Sequence, residues 1–363
     1  MDSEIIFLDY SKQNSILDGI REHFSRIIET SVSQGDNVAV KVHMGEYGNL
    51  TYIRPPFVRE FVELVKAAGG KPFVTDTTTL YPKNRFTSKQ YLKTAAYNGF
   101  TKESVGVPIV IADGLMGYDG VEQRLRNTVD GCEIDRIKVA ERIADSDSMI
   151  VLTHAKGHML SGFGGAIKNL AMGCTTKEAK AAQHSANRVV LNADKCNGCG
   201  RCVEACPFNA AKIHRGKHTK VLSRCMSCIS CYFECPEGAL HLPIDAKMKF
   251  QVNLAHAAKA VAARFREGKI AYINFLQDIT RFCDCATPSG NPLLRDIGIL
   301  GGMDPVAIDK ASIDLIDNTP TYQYHRKKRK DILGILNGTS SLIHIRTAQR
   351  LELGSMNYKL VKT

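Results

Sequence analysis

The 363-residue sequence contains no tryptophan, no long apolar segment and no N-terminal pattern of the kind that directs export. No apolar run approaches the roughly 18 residues of a membrane-spanning helix, so we expect no membrane association. The first residues, MDSEIIFLDYSKQ, have no basic segment followed by an apolar one, which argues against a signal peptide. The basic run His325–Lys330 has no accompanying aromatic or groove-reading element. We therefore interpret this run as a solvated loop and expect no nucleic-acid partner.

Cysteine, by contrast, is abundant, and eight of the twelve cysteines form two copies of one pattern. The pattern reads Cys-x-x-Cys-x-x-Cys-x-x-x-Cys-Pro and begins at Cys196 and again at Cys225. In bacterial ferredoxins this run holds cubane iron–sulfur clusters, because three thiolates bind one cube and the cysteine before proline binds the other. The first predicted [4Fe–4S] cluster is held by Cys196, Cys199, Cys202 and Cys235. The second is held by Cys225, Cys228, Cys231 and Cys206.

Zinc binding and disulfide bonding both fit the spacing of these cysteines less well. A zinc site needs only two Cys-x-x-Cys pairs, and it explains neither the third cysteine of each run nor the repeated Cys-Pro. A disulfide framework is disfavoured because the chain is long and shows no export signal. Free thiols and oxygen-sensitive clusters instead predict a cytoplasmic protein of an anaerobe.

The sequence is basic, with 48 lysines and arginines against 37 acidic residues and a formal charge of +11. Each [4Fe–4S]²⁺ core with four thiolates carries a charge of about −2, so two clusters lower the total by about 4. The remaining excess of positive charge predicts an acidic redox protein as partner, or an anionic small molecule as ligand.

Outside the cysteine runs, strand and helix patterns alternate, which favours an α/β fold with a mostly parallel sheet and helices on both faces. The same alternation resumes after residue 245, so we predict that a small ferredoxin-like α+β module interrupts one α/β domain. The predicted division is 1–189 for the first part of the α/β domain, 190–245 for the module with both clusters, 246–318 for the second part and 319–363 for a C-terminal tail with one helix.

Polar and titratable side chains follow three predicted strands, in segments 41–49, 76–81 and 154–158. In an open α/β sheet, ligands bind at the carboxyl ends of the strands, so these segments are candidate site loops. The glycine-rich segment 157–165 precedes a predicted helix, where bare backbone N–H groups can face an anion, with Lys156 and Lys168 adding charge. Neither a P-loop nor a dinucleotide fingerprint has this spacing. The alternative interpretation of segment 157–165 is a tight packing turn that binds no anion.

Cys283 and Cys285 stand one residue apart, after the predicted strand that ends at Leu276. Two such thiolates can bind a metal, whereas a disulfide between them is strained. The hypothesis is a third site, for a metal ion or a substrate, in which soft thiolates favour Fe, Zn, Ni or Cu(I). Its proposed members are Cys174, Cys283 and Cys285, with His158, His184, Asp278 and Asp284 as companions. The alternative is two ordinary loop cysteines, and Cys132 is interpreted as structural.

Several segments together resemble one known family. They are Lys41–Glu46, Lys71–Asp76, Lys156–Asn169, Met172–Cys174, Cys283–Cys285 and Asp304–Asp309. The sequence resembles the "domain of unknown function 362" iron–sulfur family of anaerobic bacteria and archaea over nearly its whole length. The resemblance implies cluster binding and a ferredoxin module inside an α/β domain, and it implies no particular reaction.

These patterns lead to one main hypothesis of function and two alternatives. In the main hypothesis the clusters pass low-potential electrons to a substrate or cofactor site in the α/β domain, as in a redox enzyme or a redox accessory protein. Lys156 would bind an anionic substrate, His158 would supply a proton near neutral pH, and Asp278 would complete the catalytic set. The alternatives are an electron carrier or docking protein without chemistry of its own, and an assembly protein for iron–sulfur or other metal centres.

Overall fold

The computed structural model describes residues 2–322 and 330–363, so most of the basic run His325–Lys330 lies outside the described residues. Within these ranges the strands are β1 (Ser3–Asp9), β2 (Asn37–Val42), β3 (Lys71–Asp76), β4 (Ile109–Ile111), β5 (Gly120–Arg124), β6 (Arg136–Ala140), β7 (Ser148–His154), β8 (Lys156–His158), β9 (Gly162–Gly164), β10 (Val190–Leu191), β11 (Ala211–His214), β12 (Lys217–Lys220), β13 (Leu240–His241), β14 (Ile270–Leu276), β15 (Gly298–Gly302) and β16 (Tyr358–Lys362).

The helices of the same ranges are α1 (Ile16–Ser31), α2 (Pro55–Ala67), α3 (Ser88–Tyr97), α4 (Lys102–Val105), α5 (Glu141–Ala144), α6 (Ala166–Gly173), α7 (Lys177–Gln183), α8 (Arg201–Glu204), α9 (Ser230–Phe233), α10 (Ala246–Ala262), α11 (Pro305–Asn318), α12 (Ile332–Asn337) and α13 (Ile343–Arg350). Short 3₁₀ turns add Tyr10–Lys12, Ser185–Asn187 and Leu222–Arg224. Among the helices described, none combines the length and the apolar character that crossing a membrane requires.

One sheet with the strand order β16-β1-β15-β14-β7-β2-β3-β4 forms the centre of the molecule. The five strands from β14 to β4 pair in parallel, and β16 pairs in parallel with β1. Only β15, within this sheet, runs antiparallel to both of its neighbours. The predicted α/β fold with a mostly parallel sheet is therefore confirmed.

Helices cover both faces of the sheet because its central strands are apolar on both faces. In β7 every residue is buried, and successive side chains point to opposite faces. Met149 and Val151 pack with α6, α10 and α11, whereas Ile150 and Leu152 pack with α1 and α2. A continuous apolar strand of this kind is typical of a parallel sheet buried between two helix layers.

The cysteine-rich segment forms a small α+β unit between α7 and α10. Its first and last strands, β10 and β13, pair antiparallel, and β11 and β12 form a hairpin. Cys202, Ile229 and Leu240 belong to the same apolar core as α10 and the sheet, so the unit is packed against the α/β domain. The domain boundaries stay a prediction.

The C-terminal segment differs from the predicted tail with one helix. It contains α12 and α13, and β16 extends the central sheet by pairing with β1, with Ser3 opposite Tyr358. The prediction was wrong here because β16 is short and its partner lies at the other end of the chain. No sequence pattern within either segment predicts such a pairing.

Candidate functional site

A cavity of about 610 Å³ lies at the carboxyl ends of β2, β3 and β7, where the sheet faces the cysteine-rich unit. All three strand-exit segments singled out from the sequence contribute to its wall. The parallel strands bring these segments together because their carboxyl ends meet at one edge of the sheet. The other walls are α6, the loop after β14 and the start of α9, which contribute Lys168, Cys283, Asp284, Cys285, Cys228 and Ile229.

Asp284 is fully buried at this cavity and contacts His154 and Lys156. Its carboxylate lies 2.9 Å from His154 Nδ1 and accepts a hydrogen bond from Lys156 Nζ at 2.8 Å. Burial by itself raises the pKa of Asp284, but His154 and Lys156 overcome this effect and hold the pKa well below its usual range. His154 Nε2 faces the Gln277 carbonyl oxygen at 2.7 Å, so acceptor atoms lie beside both ring nitrogens.

Lys156, predicted to be catalytic, is therefore held in a buried ion pair. Its Nζ also donates to the His154 carbonyl oxygen at 2.7 Å, and burial lowers its pKa. A group with two fixed acceptors positions its neighbours and is poorly placed to bind substrate directly. The structure favours a positioning role for Lys156.

Two further ion pairs line the cavity, whereas Lys168 on its wall has no such partner among the described residues. Lys41 pairs with Asp76 at 2.8 Å, and Arg85 pairs with Glu46 at 3.0 Å. Lys168 pairs with no carboxylate in the described part of the chain, and its Nζ lies 4.0 Å from Cys283 Sγ. Burial, with a further contribution from Lys156, lowers the pKa of Lys168 to about 7. The cavity therefore carries an excess of cationic groups.

Cys283 and Cys285 lie at the cavity and are joined by a disulfide, with their Cα atoms 5.3 Å apart. A ring nitrogen of His158 and the two sulfur atoms all lie within 4.8 Å of one another. His158 Nδ1 lies 2.9 Å from Ser161 Oγ, and burial, followed by the charge of Lys168, holds the pKa of His158 well below its ordinary value. The sequence hypothesis of a third site thus has three of its residues in one place.

Gly157 allows this grouping to form. Its N–H donates to the Thr280 carbonyl oxygen at 2.9 Å, which ties β8 to the loop that carries Cys283. A Cβ atom at position 157 would lie 2.1 Å from the Arg281 carbonyl oxygen, far inside contact distance. Only glycine permits this approach, which sets His158 beside Cys283.

The glycine-rich segment does not present a bare helix terminus to an anion, and that expectation was wrong. The segment forms the hairpin of β8 and β9 and leads into α6. The first N–H groups of α6, those of Ala166 and Ile167, donate to the carboxylate of Asp309 at 2.6 and 3.0 Å. Asp309 is buried, and burial raises its pKa to about 6. The helix N-terminus is thus satisfied from within the protein.

Two predicted site residues lie away from the cavity wall. Asp278 Oδ2 pairs with Arg54 Nη2 at 2.7 Å in a partly exposed ion pair, so its predicted catalytic role is not retained. Cys174 is buried, and its Sγ lies 3.8 Å from the Asn169 carbonyl oxygen, so it does not join Cys283 and Cys285. His184, by contrast, lines the cavity.

The eight cysteines of the repeated pattern line two small cavities. One cavity is lined by Cys196, Cys199, Cys202 and Cys235. The other is lined by Cys206, Cys225, Cys228 and Cys231. These are the two sets of four that the spacing predicts, and all eight cysteines are free thiols.

The donors around these thiols fit a cluster. Cys206 Sγ accepts N–H bonds from Ala210 at 3.2 Å and Ala211 at 3.4 Å, as cluster-bound sulfurs do. Burial, followed by the neighbouring Cys228, raises the pKa of Cys231 to about 12. Cysteine binds a metal centre as the thiolate, so binding of a cationic centre would remove the proton of Cys231.

Some parts of the cavity wall carry no recognisable signal in the sequence. Ile229, the N-cap of α9, and Phe233 of α9 reach the wall only through tertiary packing, because they are distant in sequence from the strand exits. The pairing of Arg85 with Glu46 likewise depends on how two loops meet.

The known proteins that this chain resembles include a ferredoxin and two distant solved structures. A ferredoxin from Pyrobaculum islandicum is 34% identical over 83 residues, which are 23% of this chain and 70% of that protein. The lactate racemase apoprotein from Thermoanaerobacterium thermosaccharolyticum matches with a TM-score of 0.40 and 10% identity, over 83% of this chain and 54% of that chain. A protein from Thermotoga maritima matches with a TM-score of 0.39 and 10% identity, over 71% and 50% of the two chains.

This chain spans about half the length of those two structures. A family match covers much more of the sequence. Residues 38–314 match the family described as "Domain of unknown function (DUF362)", and the chain belongs to this family.

Proposed function

We propose that this protein binds two [4Fe–4S] clusters and passes low-potential electrons to a substrate or cofactor site in its α/β domain. It would act as a redox enzyme or as a redox accessory protein. The observation that carries this proposal is the position of Cys228, which lines both the second four-cysteine cavity and the cavity of about 610 Å³. One of the four residues that would hold the second cluster therefore forms part of the wall of the candidate site.

The clusters would supply one-electron transfer, one electron for each cluster. The donor we propose is an acidic, low-potential redox protein, because the chain has a formal charge of +11 and attracts acidic surfaces. The similarity to a ferredoxin supports cluster binding. Lys168, which has no carboxylate partner among the described residues, and the surrounding ion pairs favour an anionic small molecule as the acceptor or its ligand.

The first test concerns the number and the ligands of the clusters. Anaerobically purified protein is expected to contain about eight irons per chain. Cys228→Ser and Cys206→Ser should each abolish the same electron paramagnetic resonance signal of the reduced protein, while Cys199→Ser and Cys235→Ser should abolish the other. Cys132→Ser, outside both sets, is the matched control. Zinc in place of iron, or one common signal lost in all four variants, would contradict the proposal.

The second test asks whether the cavity is coupled to the second cluster. Lys168→Gln removes a positive charge from the cavity, so it should lower the reduction potential of the second cluster and leave the first unchanged. Lys217→Gln is the matched control, since Lys217 Nζ donates to the Cys196 carbonyl oxygen at 2.7 Å and should affect the first cluster only. A Lys168→Gln protein with both potentials unchanged would favour a carrier whose cavity has no part in electron transfer.

A further inference from the structure

The residues His158, Cys283 and Cys285 bring three metal-binding atoms together at the cavity. These atoms lie within 4.8 Å of one another, and the three residues come from β8 and from the loop after β14. His158 and Cys283 are buried, while Cys285 is exposed. We propose that they form a site for one thiophilic divalent ion, available when the cysteine pair is reduced, with one coordination position open to the cavity.

The ligand chemistry selects the class of metal. Two thiolates and one imidazole are the protein ligands of zinc in alcohol dehydrogenase, where the fourth position is left for water or substrate. Thiolates favour Zn²⁺, Fe²⁺ or Ni²⁺ over Mg²⁺ and Ca²⁺, which prefer oxygen ligands. A site with only three protein ligands on the wall of a large cavity has the composition of a catalytic site.

The surrounding residues orient the imidazole toward the sulfurs. His158 Nδ1 accepts N–H bonds from Leu160 at 3.4 Å and Ser161 at 3.3 Å, and it lies 2.9 Å from Ser161 Oγ, which donates to the Phe163 carbonyl oxygen at 2.7 Å. Such contacts around a metal-binding histidine fix the orientation of its ring. The contact of Gly157 with Arg281 sets the spacing between β8 and the cysteine loop.

The disulfide makes metal binding depend on the redox state. Reduction breaks the bond between the two sulfurs, consumes two electrons and two protons, and yields two thiols. Binding of a divalent ion then releases two thiol protons. In the cell the two electrons would come from the two clusters, one from each. This part of the inference rests on the proposed function. A phosphine reductant supplies the same two electrons in vitro, where it is oxidised to the phosphine oxide.

The charge of the loaded site also indicates its ligand. Two thiolates, a neutral imidazole and a divalent ion sum to zero, and Lys168 Nζ, which has no carboxylate partner among the described residues, lies 4.0 Å from Cys283 Sγ. A small anion that coordinates through oxygen would satisfy both the metal and the lysine. This class of ligand agrees with the cationic excess of the cavity.

The test measures zinc and iron separately in the complete protein. Anaerobic protein reduced with a phosphine and incubated with Zn²⁺ should retain one zinc after gel filtration, in addition to the iron of its clusters. X-ray absorption at the zinc edge should show two sulfurs at about 2.3 Å and one nitrogen at about 2.0–2.1 Å. The Cys283→Ser/Cys285→Ser protein and His158→Ala should lose this zinc, while Cys174→Ser should keep it. Unreduced protein should bind none at this site.

The outcomes separate this inference from the proposed function. Full iron content with no zinc retained, or equal zinc in the Cys283→Ser/Cys285→Ser protein, would overturn the metal site and leave the cluster proposal standing. One zinc with the expected ligands in a protein that holds no iron would support the metal site and overturn the cluster proposal. Circular dichroism equal to that of the unmodified protein shows that each variant is folded, and a second variant, His158→Gln, replaces His158→Ala if the latter is not.

Discussion

Asp284→Asn should destabilise the protein more than any ordinary surface substitution, because it leaves the buried ammonium group of Lys156 without its anion. Asp284 is fully buried, and it contacts His154 at 2.9 Å and Lys156 at 2.8 Å. Removing one partner of a buried ion pair typically costs about 3–5 kcal/mol, since the remaining charge stays desolvated. Asparagine has nearly the same shape as aspartate, so the change is almost purely one of charge. We expect a loss of about 3–5 kcal/mol in the free energy of unfolding.

The assay is anaerobic unfolding in urea, followed by circular dichroism. Asp278→Asn is a matched control, because it makes the same chemical change in the same loop, where Asp278 pairs with the half-exposed Arg54. Such pairs contribute about 0–1 kcal/mol, so the control should lose no more than that. Lys156→Met combined with Asp284→Asn should cost less than the sum of the two single changes, since the first removes the stranded charge. Equal losses in Asp284→Asn and Asp278→Asn would refute this role of the buried ion pairs.

Two other substitutions test the packing that forms the site. Gly157→Ala places a Cβ 2.1 Å from the Arg281 carbonyl oxygen, so we expect a loss of about 1–3 kcal/mol in urea unfolding, together with loss of the added zinc. Gly164→Ala, whose nearest Cβ contact would be the flexible Lys168 side chain at 3.3 Å, should retain both properties. A larger loss in Gly164→Ala than in Gly157→Ala would contradict this geometry. Asp309 has a folded-state pKa of about 6, above its ordinary value of 3.8. Between pH 3.8 and about pH 6 the native state therefore keeps a proton that the unfolded chain has released. Its contribution to stability should therefore fall by about 1 kcal/mol from pH 5 to pH 6, which urea unfolding would detect as a pH trend that is absent in Asp309→Asn.

Local signals in the sequence were sufficient to predict those elements whose structure is determined by a single segment. The apolar run Met149–Thr153 is typical of a strand and forms part of β7, and Asp304 followed by Pro305 is typical of a helix start and begins α11. The structure shows Asp304 accepting N–H bonds from Val306 at 2.8 Å and Ala307 at 3.0 Å, which is the N-cap arrangement. The strand exits could also be found, because parallel strands place their polar carboxyl ends at one edge.

Features that depend on distant partners could not be predicted. The reversed direction of β15 follows from its neighbours in the sheet, and its own residues carry no sign of it. The capping of α6 by Asp309 joins residues far apart in the chain, so the glycine-rich segment alone suggested a free terminus. Asp278 and Cys174 have suitable chemistry for a site, but the packing of their loops directs them away from the cavity.

The pairing of β10 with β13 brings the entrance and the exit of the cysteine-rich unit side by side, with Leu191 opposite Leu240. A segment whose two ends are adjacent can be acquired, lost or exchanged without lengthening any other connection of the host domain. The same unit supplies Ile229 and Phe233 to the cavity wall. An evolutionary exchange of this unit would therefore change its eight cysteines and the shape of the cavity in a single step, so the two features are expected to be inherited together.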